Sequence, residues 1–285
     1  MKDLLLHDST LRQLDNYLKS PAHAVMLTGP GGSGKKTLAL KLAEAVLGLE
    51  QGGLDAYPYK LIANSESGQS IGIETVRAME NFLGLKVPKK ALFNRVIVIN
   101  NSHLLTHEAQ NSLLKTLEEP PHGTVIIMTS NHEQALLPTV RSRVQTVIVQ
   151  RPAEASASQY FKGLGFEEKE IDKAYAISGG LPGLMRALLE HQAHPLTLAS
   201  ERAKQLLRQP VFERLLSVDE LSKQKDLVMD ILFVLQQMAH VSLKKPAGPL
   251  TAKWQKVLEA SYNAAEALAS NTQPKLVITN LMLQL

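Results

Sequence analysis

A glycine-rich stretch at residues 29–37 constrains the fold of this chain more than any other part of its sequence. It fits the pattern G-x-x-x-x-G-K, and it lies between an apolar run at 24–27 and apolar residues at helical spacing. In the order strand, loop and helix, backbone N–H groups and the helix dipole face phosphate oxygens. The sequence therefore predicts a phosphate-binding loop made of Gly29, Gly31, Gly32, Ser33, Gly34, Lys35, Lys36 and Thr37.

Two departures from this pattern argue against nucleotide hydrolysis. A Ser or Thr normally follows the loop lysine and binds Mg²⁺ through its hydroxyl, but this chain has Lys36. Phosphoryl-transfer enzymes of this type also have an acidic Mg²⁺ ligand after a buried strand, and ring-forming ones add a Glu that activates water. Here Asn100 and Asn101 follow the apolar run 95–99, and neutral amides bring no charge to a metal. Whether the loop still binds a nucleotide stays open.

Runs of β-type residues alternate with helical patterns over the first 151 residues. Alternation of this kind predicts an α/β domain with a parallel sheet. After Arg151 and Pro152 the β-type runs stop, and leucine- and alanine-rich helical patterns follow. We expect an α/β core at 1–151, a small helical domain at 152–194 and a second helical domain at 195–285. The predicted strands are 24–27, 59–63, 95–99, 125–128 and 146–149.

Composition excludes several classes of site. The chain has no cysteine, which rules out disulfides and thiolate zinc sites, and its net charge of +4 is not gathered into a basic block. His103 and His107 are four residues apart, but no acidic or cysteine ligand accompanies them. We interpret the pair as a solvated helix start and predict no metal site. With no apolar run near the roughly 20 residues of a membrane span and no signal peptide, we expect a cytoplasmic protein.

Several segments resemble one family. Residues 113–121, Leu-Leu-Lys-Thr-Leu-Glu-Glu-Pro-Pro, match a segment shared by bacterial clamp-loader subunits of the AAA+ class. The segments 70–73, 76–77 and 271–276 are similar to the same family. Residues 139–145 resemble its Ser-Arg-Cys motif, with Val144 in place of Cys. The Gly-Lys-Lys of the glycine loop looks like the delta-prime type of subunit rather than the ATP-hydrolysing gamma/tau type.

The resemblance implies an AAA+ P-loop core, a helical lid at 152–194 and a helical collar for oligomerisation at 195–285. It implies a delta-prime-like stator of the DNA polymerase III clamp loader, which supports ATP-dependent loading of the sliding clamp on primed DNA without hydrolysing ATP itself. The implied partners are the gamma/tau and delta subunits and, through the complex, the sliding clamp and primed DNA. ATP or ADP held without hydrolysis is the cofactor that it allows, and zinc is excluded.

The resemblance also assigns roles to residues outside the glycine loop. Arg143 becomes an arginine finger that acts in trans on a neighbour's nucleotide; the alternative is an ordinary surface arginine before a strand. Arg186 corresponds to the second-sensor arginine and Asn131 to the first-sensor position. Arg77, near the start of a helix at Ile73, becomes a weak DNA contact, and a solvated arginine is the alternative.

Two other functions stay open from sequence. One is an active, ATP-hydrolysing gamma/tau-like motor subunit, which retained Mg²⁺ ligands would have favoured. The other is a stand-alone P-loop scaffold outside replication. An interaction experiment that recovers no polymerase or clamp-loader protein would favour the scaffold.

Overall fold

A parallel β-sheet organises the first of the two units into which the chain divides, Met1–Arg151 and Pro152–Leu285. The computed structural model describes residues 3–64, 70–88, 91–192, 195–244, 248–269 and 272–285. Within these residues the sheet has five strands in the order β2-β3-β4-β1-β5, and all of its pairings are parallel. The strands are β1 Ala24–Thr28, β2 Lys60–Ala63, β3 Arg95–Ile99, β4 Thr124–Ser130 and β5 Gln145–Ile148.

Helices cover both faces of this sheet because its central strands are apolar on both sides. Every residue of β1, β3 and β4 is buried. Alternate residues of these strands enter two separate cores, which is typical of parallel sheets in α/β proteins. The helices of this unit are α1 Asp8–Lys19, α2 Lys35–Leu47, α3 Ile73–Leu83, α4 His107–Glu118 and α5 Pro138–Arg141, with 3-10 helices at Ser102–Leu104 and Glu133–Ala135.

One core lies on each side of the sheet. Leu38 and Leu42 of α2 pack with Val25 and Leu27 of β1 and with residues of α1. On the other face, residues of α3 and α4 pack on β3 and β4. The prediction of a parallel α/β core is confirmed. This arrangement brings the carboxyl ends of β1, β3 and β4 to one edge of the sheet, where open α/β folds bind their ligands.

Helices are the only regular secondary structure in the described residues of the second unit. One hydrophobic core joins Leu181 and Leu184 with residues of the later helices. Residues 193–194, at the predicted boundary between lid and collar, lie outside the described residues, and that boundary stays a prediction. The helices are α6 Glu154–Gly163, α7 Glu168–Ser178, α8 Pro182–Leu189, α9 Pro195–Arg208, α10 Val211–Leu216, α11 Val218–Leu221, α12 Lys225–Leu243, α13 Thr251–Ala269 and α14 Pro274–Gln284.

One helix of the described chain is long and apolar enough to cross a membrane by length and composition. It is the segment Asp226–Leu243 of α12, with a mean hydropathy of 1.3. Its residues Val228, Ile231, Leu232 and Leu235 are buried in the core of the second unit. We therefore interpret α12 as a core helix of this unit.

Candidate functional site

The glycine loop connects β1 to α2 and runs close to the neighbouring strands. The N–H of Gly29 donates to the carbonyl oxygen of Ser130, at 3.2 Å. A Cβ at Gly29 would lie only 2.5 Å from the carbonyl oxygen of Val149, so a larger residue cannot replace it without a backbone shift. Gly34 has a φ of 82°, in the left-handed region that favours glycine. The predicted order of strand, loop and helix is therefore present in the structure.

Lys35 is folded into this loop. Its side chain is buried, and its Nζ donates to the carbonyl oxygens of Gly29 and Pro30 at 2.7 Å each. A longer contact of 3.4 Å joins Nζ to the hydroxyl of Ser33. Burial lowers the pKa of Lys35 to about 8. The loop thus contains a cation whose contacts are neutral oxygens, which a phosphate group could replace.

The residue after Lys35 is outside this arrangement. Lys36 and Thr37 belong to the first turn of α2, and both are exposed. The position where a Mg²⁺-binding hydroxyl is required therefore holds a solvated cation instead. The Mg²⁺ site of a hydrolysing enzyme does not fit this end of the loop.

Asn100 and Asn101 follow β3 at the same edge of the sheet. The hydroxyl of Thr129 in β4 contacts both residues. The hydroxyl of Thr129 donates to Oδ1 of Asn100 at 2.8 Å and accepts from the backbone N–H of Asn101 at 2.9 Å. Asn101 itself has a φ of 55°. The side chains at the acidic positions of the pattern are thus neutral, and one of them is held in a local hydrogen bond. The negative charge that a Mg²⁺ site draws from a carboxylate is therefore missing at these two positions.

His103 contacts Asn131, the residue that follows β4, and the sequence did not predict this contact. It is half-buried in the 3-10 helix after β3, and its Nδ1 accepts the backbone N–H of Asn131 at 3.3 Å. Its ring meets that of His132 edge to face, with centroids 5.7 Å apart. Burial, and then the charges of His132 and Lys35, lower the pKa of His103 to about 4. The imidazole is therefore neutral near pH 7 and carries its proton on Nε2, so the expectation of a solvated His103 is wrong; His107 is exposed.

Asn131 connects His103 to the glycine loop. Its Nδ2 lies 3.7 Å from the position that a Cβ of Gly31 would occupy. The structure therefore brings together Lys35, Asn131 and His103 at the carboxyl edge of the sheet. The cluster offers N–H donors to an anion, but among the described residues no three His, Asp or Glu side chains converge as metal ligands.

Arg143 lies away from this cluster, just after α5. Its Nε and Nη2 contact one oxygen of Glu118, at 2.9 and 2.6 Å. Its Nη1 donates to the carbonyl oxygen of Thr139 at 2.9 Å and to the hydroxyl of Ser142 at 3.2 Å. With 34% of its side chain exposed, Arg143 is a surface residue with an ordered guanidinium.

The two other predicted arginines are exposed and form ion pairs within their own helices. Arg77 contacts Glu74 of α3 at 3.3 Å, and their side chains are 62% and 83% exposed. Arg186 contacts Glu190 at 2.8 Å in the second unit. The carboxylate of Glu74 lies in the first turn of α3, where it competes with a phosphate for the positive end of the helix.

A family comparison matches the first unit. The family described as DNA polymerase III, delta subunit matches residues 6–153. A DNA polymerase III subunit delta' of Pseudomonas aeruginosa is 30% identical over 67% of this chain and 63% of its own length. The corresponding subunit of Haemophilus influenzae is 28% identical over 59% of this chain and 55% of its own length.

A DNA polymerase III subunit tau of Bacillus subtilis is 26% identical over 83% of this chain and 49% of its own length. The chain thus matches about half to under two thirds of the length of these three relatives.

Solved structures share the fold. A gamma subunit-related DNA polymerase III protein of Thermotoga maritima aligns with a TM-score of 0.50 at 18% identity, over 95% of this chain and 97% of that one. The RuvB Holliday junction branch migration motor of the same organism aligns with a TM-score of 0.50 at 16% identity, over 95% and 87%. These similarities support the AAA+ arrangement of a parallel sheet followed by helices, which confirms the predicted fold class.

Proposed function

The chain belongs to the DNA polymerase III, delta subunit family, and on that premise we propose that it is a delta-prime-type stator of the clamp loader. In this proposal it supports ATP-dependent loading of the sliding clamp on primed DNA without hydrolysing ATP itself. It acts in the cytoplasm, and its partners are the gamma/tau and delta subunits of the complex.

The observation that carries the proposal is the geometry at the ends of β1 and β3. Lys36 is exposed where a Mg²⁺-binding hydroxyl is needed, and Asn100 accepts a hydrogen bond from Thr129 where a carboxylate is needed. Asn101 also stands where the water-activating Glu of ring-forming relatives would be. Three separate positions thus lack the groups for hydrolysis. ATP or ADP, held by the loop and by Lys35, would have a structural role.

Arg143 supplies the reason why such a subunit still affects hydrolysis. Its guanidinium is ordered at the surface, at a motif that resembles an arginine finger. An arginine supplied in trans stabilises the charge of a transferring phosphoryl group and can raise the rate by about 10³–10⁵-fold. We assign Arg143 this role toward the nucleotide of a neighbouring motor subunit. The helices of the second unit, 195–285 above all, would hold the ring together as its collar.

The second candidate is an active motor subunit of the gamma/tau type. The tau relative favours it, because it aligns over a larger share of this chain than the delta' relatives do. The glycine loop also retains Gly29, Gly34 and Lys35. The two candidates differ in whether this chain turns over ATP by its own site.

One reconstitution separates them. The purified chain is mixed with its cognate motor and delta subunits, and complex formation and clamp-dependent ATPase are measured. We expect a stable complex whose ATPase requires the motor subunit's loop lysine and not Lys35 of this chain. Turnover that is lost on Lys35→Ala while the complex stays intact would favour the motor, and failure to form any complex would favour a scaffold outside replication.

A further inference from the structure

Arg143 is held by contacts on three of its sides. A guanidinium has five N–H donors, and the described contacts engage four of them: two at Glu118 and one each at Thr139 and Ser142. One N–H of Nη2 lies outside these contacts. The inner Nε edge is thus bound within the chain, and the donor that remains is on the terminal part of the side chain.

Glu118 is an unfavourable residue for the helix that carries it. It is the last residue of α4, where the negative end of the helix dipole opposes a carboxylate. The carbonyl oxygen of Leu117, in the same turn, has a different partner, because His23 donates to it from Nε2 at 2.8 Å. The described contact of the Glu118 carboxylate is the one with Arg143. Helix stability therefore does not explain a carboxylate at this position, whereas the ion pair with the guanidinium of Arg143 does.

The backbone beneath Arg143 is also fixed by α4. The Oε1 of Gln110 accepts the N–H of Leu137 at 2.7 Å, just before α5. Val140 of α5 is fully buried, and the N–H of Arg143 donates to its carbonyl oxygen at 3.1 Å. α4 thus holds the backbone that leads to Arg143 through Gln110, and it holds the Arg143 side chain through Glu118.

We propose that Glu118 is a positioning residue for Arg143. It holds the Nε edge of the guanidinium, so that the remaining N–H of Nη2 faces a phosphate group of the neighbouring subunit in one orientation. The inference rests on the proposed trans role of Arg143. A long arginine side chain otherwise populates many rotamers, and a displacement of about 1 Å at a reacting group can cost about 10²-fold in rate.

The test uses the complex reconstituted with its motor and delta subunits and measures ATPase and clamp loading. Glu118→Ala removes the contact, and Glu118→Gln keeps an acceptor oxygen without the charge. The matched control is Glu119→Gln, which removes the same charge from the next residue, an exposed one. Arg143→Ala and the double variant Glu118→Ala/Arg143→Ala complete the set. Because the ion pair is exposed, we expect every variant to melt close to the unmodified protein.

We expect Glu118→Ala to cause roughly half or more of the loss in total turnover that Arg143→Ala causes, in kcat rather than in the KM for ATP, because an arginine finger acts mainly on the transition state. Glu118→Gln should retain an intermediate rate, and Glu119→Gln the full rate. In the Arg143→Ala background, Glu118→Ala should have no further effect. This pattern separates positioning from a general structural role.

Three results would overturn the inference while leaving the proposed function intact. Glu118→Ala could match the unmodified complex although Arg143→Ala is slow. Both Glu118 variants could raise turnover, in which case Glu118 competes with the phosphate. The effect of Glu118→Ala could persist in the Arg143→Ala background. If Arg143→Ala itself loads clamps normally, the trans role is wrong, and the positioning role fails with it.

Discussion

The Nζ of Lys35 donates a 2.7 Å hydrogen bond to the carbonyl oxygen of Gly29, so the two fixed ends of the glycine loop contact each other directly. The ammonium is buried, and the oxygens around it are carbonyls and a hydroxyl rather than carboxylates. Burial without a counter-ion disfavours the charged form of a lysine. The glycine loop therefore surrounds a buried positive charge, which lowers the free energy of unfolding.

This contact predicts a pH-dependent stability. Burial lowers the pKa of Lys35 from 10.5 to about 8, so between these values the unfolded chain binds a proton that the folded chain does not. The free energy of unfolding should therefore rise with pH across this window, and the cost is fully present below pH 8. Lys35→Met should gain stability relative to the unmodified protein at pH 7.5 and lose that advantage by pH 10, as measured by denaturant unfolding. A difference between the two proteins that is the same at both pH values would contradict this.

Acid should destabilise the protein through His103. The folded pKa is about 4 against an ordinary value of 6.5, so the unfolded chain binds the extra proton between these values. Stability is thus complete above pH 6.5 and falls as the pH drops toward 4. His103→Gln, which can still accept the N–H of Asn131, should show a smaller loss between pH 7 and 5 in urea unfolding. His107→Gln, at an exposed position, is the control and should behave like the unmodified protein.

The isolated protein should have no ATPase above background. The Mg²⁺-binding hydroxyl is replaced by exposed Lys36, and the acidic positions hold Asn100 and Asn101. The measurement is phosphate release by purified protein with ATP and Mg²⁺, beside Lys35→Ala as a control for contaminating enzymes. Steady turnover that disappears in Lys35→Ala would refute the inactive-site interpretation.

Arg143→Ala should leave the complex assembled while it lowers clamp loading and total ATPase. The loss will be smaller than the rate factor of one arginine finger, because only one of several active sites in the ring would receive Arg143. Arg143→Lys should restore activity only in part, since an ammonium lacks the planar fork of donors. Arg141→Ala, two residues away, should matter less. Normal loading by an intact Arg143→Ala complex would leave this subunit with a scaffold role only.

Arg77→Ala should weaken binding of the complex to primed DNA only slightly. The arginine is exposed, and its ion pair with Glu74 at the start of α3 opposes a close phosphate contact. Fluorescence anisotropy with a primed template, at one fixed salt concentration, measures the effect. A loss above tenfold, roughly 1.4 kcal/mol, would mean that this helix N-terminus is a main DNA contact.

The sheet could be predicted from the sequence because its strands are buried on both faces. Continuous apolar runs such as 95–99 and 125–128 stand out without alternation, and each became a strand within a residue or two at its ends. The helix predicted to start at Ile73 spans Ile73–Leu83. Its signal is local, because Val76, Met79 and Leu83 recur at helical spacing and form the buried face of the helix.

The cluster of Lys35, Asn131 and His103 is harder to predict from the sequence, because it depends on which strands become neighbours in the sheet. His103 was grouped with His107, four residues along one helix, whereas its contact is Asn131 after the next strand in the sheet. A usable signal existed, since both residues follow predicted parallel strands whose carboxyl ends meet at one edge. Glu118 and Arg143 were both in recognised motifs, but their pairing over 25 positions is a tertiary contact.

The position of β1 in the sheet also fixes when the glycine loop can form during synthesis. Ala24–Thr28 pairs with Thr124–Ser130 on one side and with Gln145–Ile148 on the other, and Gly29 lies against Val149. About 100 residues must therefore follow β1 before its first neighbour exists, which at ribosomal speeds of roughly 5–20 residues per second takes about 5–20 seconds. Throughout that time a mostly apolar strand has no β-strand partner in its own chain. The segment that defines the site is thus among the first parts of the first unit to be made and among the last parts of that unit to be folded.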